Sequence, residues 1–121
     1  MPRQVLAEAQ VHPAIRDRVA GHHREVIDAA QQAIASHPVV VFGMAANPFV
    51  RKARRALDAA GVVHHDIDHG GYLSEWRRRN ALKMWAGWPT FPMVFVKGQL
   101  VGGADDLARL IASGELRRLL G

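Results

Sequence analysis

The 121-residue chain contains no cysteine. That excludes disulfides, metal or iron–sulfur sites held by its own thiolates, and cysteine nucleophiles. It also lacks any apolar run near the roughly 18 residues that a membrane-spanning helix needs. Its first residues, MPRQVLAEAQVHPAIRDR, carry charges where a signal peptide has an apolar core. These absences lead us to expect a soluble, cytoplasmic protein with no membrane partner. No internal repeat and no linker interrupt it. Hydrophobic residues make up 49% and charged residues 22%, a balance that suits one folded core.

Acidic residues are outnumbered, and the net charge is +5. The densest basic run is Arg77-Arg78-Arg79. Successive residues of a helix point about 100° apart, so the run forms no stripe for a nucleic-acid backbone. It reads as a solvated helix face, and no nucleic-acid partner is expected.

Apolar residues at Ile15, Val19, Val26, Ala30 and Ile34 recur at helical spacing over 13–36, with a break near Gly21. His37-Pro38 ends that helix, because the residue before proline avoids the helical region. Val39 to Gly43 is a continuous β-branched and aromatic run, as in a strand covered on both faces. A helix over 51–60 closes at Gly61. A second strand over 62–68 completes a βαβ unit with parallel strands. Leu73, Trp76, Asn80 or Ala81, and Met84 mark another helix. Met93 to Val96 and Leu100-Val101 form a hairpin about Lys97-Gly98-Gln99. Short helices over 105–112 and 115–120 finish the chain. The three tryptophans, Trp76, Trp85 and Trp88, are expected in the core or a subunit contact.

A loop from a buried strand to a helix is a favoured place for chemistry, because helix N-termini offer unpaired N–H groups. Here that loop reads Met44-Ala45-Ala46-Asn47-Pro48-Phe49-Val50 and holds no nucleophile. Asn47 is a good N-cap residue, and Pro48 suits the first helical position.

The motifs Trp88-Pro89-Thr90-Phe91-Pro92, Val96-Lys97-Gly98, Val101-Gly102-Gly103, Asp105-Asp106-Leu107 and Ser113-Gly114-Glu115-Leu116 follow one another in order. In these motifs and their spacing, residues 38–120 resemble the glutaredoxins, with wording closest to the monothiol branch. The resemblance implies a thioredoxin-like α/β sandwich, a four-stranded mixed sheet flanked by helices. It sets residues 1–37 apart as an N-terminal helical extension to a glutaredoxin-like domain over 38–121. It also implies a cis Pro92 and a glutathione site. In that site the backbone of Phe91 pairs with the cysteinyl part of glutathione beside Pro92. The turn Gly103-Ala104-Asp105 holds the γ-glutamyl end, and Arg79 takes the glycine carboxylate.

In the same register the Cys-Pro-Tyr-Cys of dithiol members becomes Asn47-Pro48-Phe49-Val50, and the lysine near position 44 becomes Met44. The catalytic position is therefore empty of chemistry. Three functions follow as expectations. The first is a protein that binds glutathione or a thiol-bearing peptide, or serves as an interaction module in redox or iron–sulfur homeostasis. The second, from family membership, is a thiol-disulfide oxidoreductase or cluster carrier, which the absent thiols oppose. The third is a scaffold that binds no glutathione. His64-His65-Asp66-Ile67-Asp68-His69 carries ligand-type side chains on both faces of a strand. It reads as a polar edge strand, and no metal site is expected there.

Overall fold

The computed structural model describes residues 1–121. After a short turn of 3-10 helix at Glu8–Gln10 come α1 (Pro13–Gly21), α2 (Arg24–Ser36), β1 (Val39–Gly43), α3 (Pro48–Ala59) and β2 (His65–Asp68). They are followed by α4 (Trp76–Ala86), β3 (Met93–Val96), β4 (Gln99–Gly102), α5 (Ala104–Ser113) and α6 (Glu115–Leu120). The strands lie in the order β2-β1-β3-β4. β1 runs parallel to β2 and antiparallel to β3, and β3 and β4 form the hairpin. The fold is the expected thioredoxin-like sandwich.

The alternation of β1 divides the core. Val40 and Phe42 face α2 and α4, where they pack with Val26, Ala30, Leu82 and Phe95. Val39 and Val41 face the other way, against Ala53, Leu57, Leu107 and Leu116 of α3, α5 and α6. All five residues of β1 are buried, which accounts for its unbroken apolar run. Each fully buried side chain of this kind stabilises the fold by about 1.5–3 kcal/mol.

The expected break near Gly21 divides the first helix: α1 ends at Gly21, and His23 takes a left-handed conformation with φ 46°. Other boundaries differ from the sequence reading. The second strand starts at His65 and not at 62. Gly61, with φ 70°, lets the Val62 N–H turn back to the Leu57 carbonyl, and pairing starts only at His65 opposite Val40. Leu73 lies outside α4, since Glu75 has φ 55° and a positive φ cannot continue a helix backwards. Before β1, α2 contributes Val26, Ala30 and Ala33 to the core, whereas α1 buries nothing.

The hairpin turns on Lys97 and Gly98, both with positive φ, the pattern of a two-residue type I′ turn. At the other end of β1, Gly43 sits tight against α3 and β2. A Cβ there would come within 2.6 Å of Val50 Cγ1 and 2.9 Å of Asp68 Oδ1. This close approach fixes the angle at which the chain enters the loop before α3.

Candidate functional site

The C-terminal end of β1 leads into 44–47, and the segment 69–75 lies beside it. His69 N–H donates to the Gly43 carbonyl at 3.1 Å, and Ala45 N–H to the Gly70 carbonyl at 2.7 Å. Ala46 takes φ 60°, which turns the chain into Asn47. There Asn47 Oδ1 accepts from the N–H groups of Phe49, at 2.9 Å, and Val50, at 3.1 Å. The residue is only 8% exposed, and its amide oxygen caps α3. At the place where the resemblance puts a nucleophile, this chain has a neutral group turned inward.

The flanking positions are equally committed. Met44 and Val50 are buried with Phe42, Leu82 and Phe91, so position 44 adds a core side chain where the resemblance implies a cation. An iron–sulfur cluster is held by thiolates, with imidazole as the known substitute. The mouth of this site offers an amide oxygen that already accepts two hydrogen bonds, so the residues present do not fit a cluster.

Opposite Asn47, a cavity of about 260 Å³ is lined by Phe49, Trp88, Thr90, Phe91, Pro92 and the start of α5. The Phe91-Pro92 peptide is cis. Phe91 buries its ring, and neither its N–H nor its C=O bonds to another group of the chain. At the adjoining end, Gly103 N–H is held by Asp106 Oδ2 at 3.0 Å. The N–H groups of Ala104 and Asp105 open α5 without partners in the chain. The Trp88 indole N–H is buried and unpaired in the same cavity. The sequence reading expects Trp88 in the core or a subunit contact.

Asp105 is paired with Lys52, Nζ to Oδ1 at 3.1 Å, and both side chains are more than half exposed. Such a pair contributes about 0–1 kcal/mol, so a ligand amine can displace Lys52 at small cost. No local signal foretold the pairing, because the two residues are 53 positions apart. Lys83 is a second addition. Its ammonium lies 5.8 Å from the centroid of the Phe91 ring and has no carboxylate partner.

Arg79 is engaged within the chain through one of its nitrogens. It is 7% exposed, and its Nη1 donates to the carbonyls of His69 at 2.8 Å and Ser74 at 2.6 Å. It fastens the segment beside the mouth. The basic run is therefore not one solvated face. Arg77 lies over the Trp76 ring, Arg78 approaches Glu75, and Arg79 is interior.

The His64–His69 segment forms an ion-pair network. His64 bridges Asp66 and Asp58 at 2.7 and 2.8 Å. Arg54 joins Asp66 and Asp68 at 3.2 and 2.7 Å.

A sequence model of the family described as Glutaredoxin matches residues 39–101. The chain is 39% identical over 102 residues to a glutaredoxin-like protein of Dictyostelium discoideum, covering 84% of this chain and 83% of that one. It is 34% identical over 97 residues to the mitochondrial monothiol glutaredoxin-5 of Schizosaccharomyces pombe, covering 76% of this chain and 66% of the relative. Among solved structures, a buckwheat glutaredoxin–glutathione complex superposes with a TM-score of 0.71 at 27% identity, over 80% of this chain and 88% of that one. Fold, motif order and relatives agree: this chain belongs to the glutaredoxin family.

Proposed function

We propose that this protein binds glutathione, or a peptide bearing a thiol or a glutathionyl group, and performs no thiol chemistry of its own. The observation that carries the reading is the unpaired backbone of Phe91, set between a neutral Asn47 and the open N-terminus of α5. An extended peptide can add to those two groups as a strand adds to a sheet edge. The N–H groups of Ala104 and Asp105 suit a carboxylate, and the Asp105 carboxylate suits an amine. The likeness to a glutaredoxin crystallised with glutathione supports the same ligand. Arg79 holds two carbonyls through Nη1, and its remaining N–H donors suit the glycine carboxylate.

Met44 removes one charge-assisted contact, worth about 1.5–3 kcal/mol. The expected dissociation constant is therefore in the millimolar range. Titration with reduced glutathione, followed by amide shifts in NMR, should move Asn47, Phe91 and residues 103–105. The same preparation should reduce a glutathione mixed disulfide no faster than the uncatalysed background. Shifts scattered over the surface, or none at high glutathione, would replace this reading with that of a scaffold.

A further inference from the structure

Of the large apolar side chains left in water, four flank the mouth of the site: Phe49, Tyr72, Leu73 and Trp76. Phe49, on the first turn of α3, is 57% exposed. Across the mouth, Tyr72 is 64% exposed, Leu73 fully exposed and Trp76 55% exposed. The segment that carries these last three is not loose. It is hydrogen-bonded to Gly43 and Ala45, and held from below by Arg79. Ala46 and Glu75, one on each side of the mouth, hold positive φ without being glycine. Strain of this kind persists where the surrounding structure imposes it, and it collects at sites that clamp a ligand. Here it sets Asn47 and Trp76 at the starts of their helices, with Phe49 and Trp76 facing water. Rigidly presented aromatic groups of this sort are the usual anchors of an interface.

Charge decides what fits them. The Arg77 guanidinium lies 5.2 Å from the Trp76 centroid and has no carboxylate partner. Arg51, on the exposed side of α3, is also free of ion pairs. The two acids nearby already face cations: Glu75 faces Arg78 at 3.8 Å, and Asp105 faces Lys52. Free positive charge remains beside apolar anchors. A second copy of this chain would bring the same arginines against one another in a two-fold interface, which repels. Nucleic acid would satisfy the charge but not the unpaired N–H and C=O of Phe91, which match a polypeptide backbone.

We propose that this rim docks an acidic polypeptide segment, anchored by Phe49, Leu73 and Trp76 and steered by Arg51 and Arg77. That segment would carry its own thiol or glutathionyl group to Phe91 and Asp105. This last step rests on the glutathione reading above; the docking itself does not.

The test uses fluorescein-labelled dodecapeptides with a central cysteine held as its mixed disulfide with glutathione, flanked by Glu and Asp, by Gln and Asn, or by Lys. A fourth, acidic peptide has serine at the centre. Anisotropy should show the acidic glutathionyl peptide binding about tenfold more tightly than its amide counterpart, and less tightly as salt rises. Trp76→Ala, and separately Arg77→Glu, should each remove about that tenfold advantage while circular dichroism stays unchanged. Equal binding of acidic, amide and basic peptides would overturn the docking proposal and leave the glutathione reading standing. Equal binding of the serine peptide would support docking and overturn delivery of a glutathionyl group. Equal affinity for a single-stranded oligonucleotide would overturn a polypeptide partner. So would a dimer in sedimentation that Trp76→Ala abolishes.

Discussion

Asn47 decides the chemistry of this molecule. Its amide oxygen accepts the two N–H groups that a thiolate at the same position would use. Asn47→Cys therefore tests whether the site lost only its nucleophile. The substitution removes a cap worth about 1 kcal/mol, which a domain of this size survives. The new thiol would sit at the positive end of α3 and receive the freed N–H groups of Phe49 and Val50. Its pKa should fall below the ordinary value of about 8.5, by about one unit or more. The pH dependence of alkylation gives that pKa, and mass spectrometry detects a glutathione adduct. An ordinary pKa with no adduct would mean that the groove, as well as the thiol, has gone.

Between elements, a bridge centred on His64 ties α3 to β2, where the sequence alone reads as a polar edge strand. His64 stands between Asp58, near the end of α3, and Asp66 of β2, and its side chain is only 10% exposed. Both ring nitrogens meet carboxylates, and only the imidazolium can donate from both. Burial works against the charged form. The hydrogen bonds and charges of Asp58 and Asp66 outweigh it, so His64 titrates above its ordinary value. Arg54 also faces Asp66, at 3.2 Å. A group whose pKa is raised on folding stabilises the native state fully below its unfolded pKa of about 6.5. That contribution disappears as pH rises through the higher folded value. His69 runs the other way: burial lowers its pKa, so its neutral form favours folding at higher pH and the effect fades as pH falls. Comparing the wild type with His64→Gln cancels the His69 effect. The stability difference in urea should be largest near pH 6 and shrink toward pH 9. A difference that stayed constant with pH would contradict the bridge.

At the scale of the whole molecule, the N-terminal 36 residues divide by function. α1 buries no residue, and Arg3 reaches the far side only through one hydrogen bond to the Trp85 carbonyl at 3.2 Å, lying over Gly87. α2 supplies Val26, Ala30 and Ala33 to the core that holds Phe42, Leu82 and Phe95. Removing residues 1–23 takes away the Arg3 bond and the His23 carbonyl that accepts from the Val26 and Ile27 N–H groups. At about 0.5–1.5 kcal/mol for each of the lost bonds, stability should fall by no more than about 4.5 kcal/mol. Removing 1–36 uncovers one face of the sheet. Losing Val26 alone forfeits about 1.5–3 kcal/mol, and the uncovered partners add to it, against a total of about 5–15. Thermal unfolding should remain cooperative for 24–121 and lose cooperativity for 37–121. A cooperative transition in the shorter fragment would show that the sheet does not need α2.

Some features follow from short-range rules and were legible in the sequence. β1 announces itself by five consecutive residues suited to a strand with no solvent face. Asn47-Pro48 and Gly61 mark the two ends of α3 by capping chemistry that involves only neighbours. The lack of any thiol is a fact of composition, and it excludes a thiolate supplied by this chain whatever the fold does. The remaining features depend on groups that the chain brings together from a distance. Arg79 differs from Arg77 and Arg78 only because the carbonyls of His69 and Ser74 meet it beneath a turn. Lys52 and Asp105 pair because α3 and α5 pack on the same face of the sheet. Leu73 is in water, and not on a helix, because Glu75 adopts a left-handed conformation. Local sequence therefore determined the elements, their caps and the missing nucleophile, since backbone sterics and capping act over a few residues. Only the tertiary structure decided which charges are interior, which are paired and which apolar groups stay in water, because burial and pairing belong to neighbours in space.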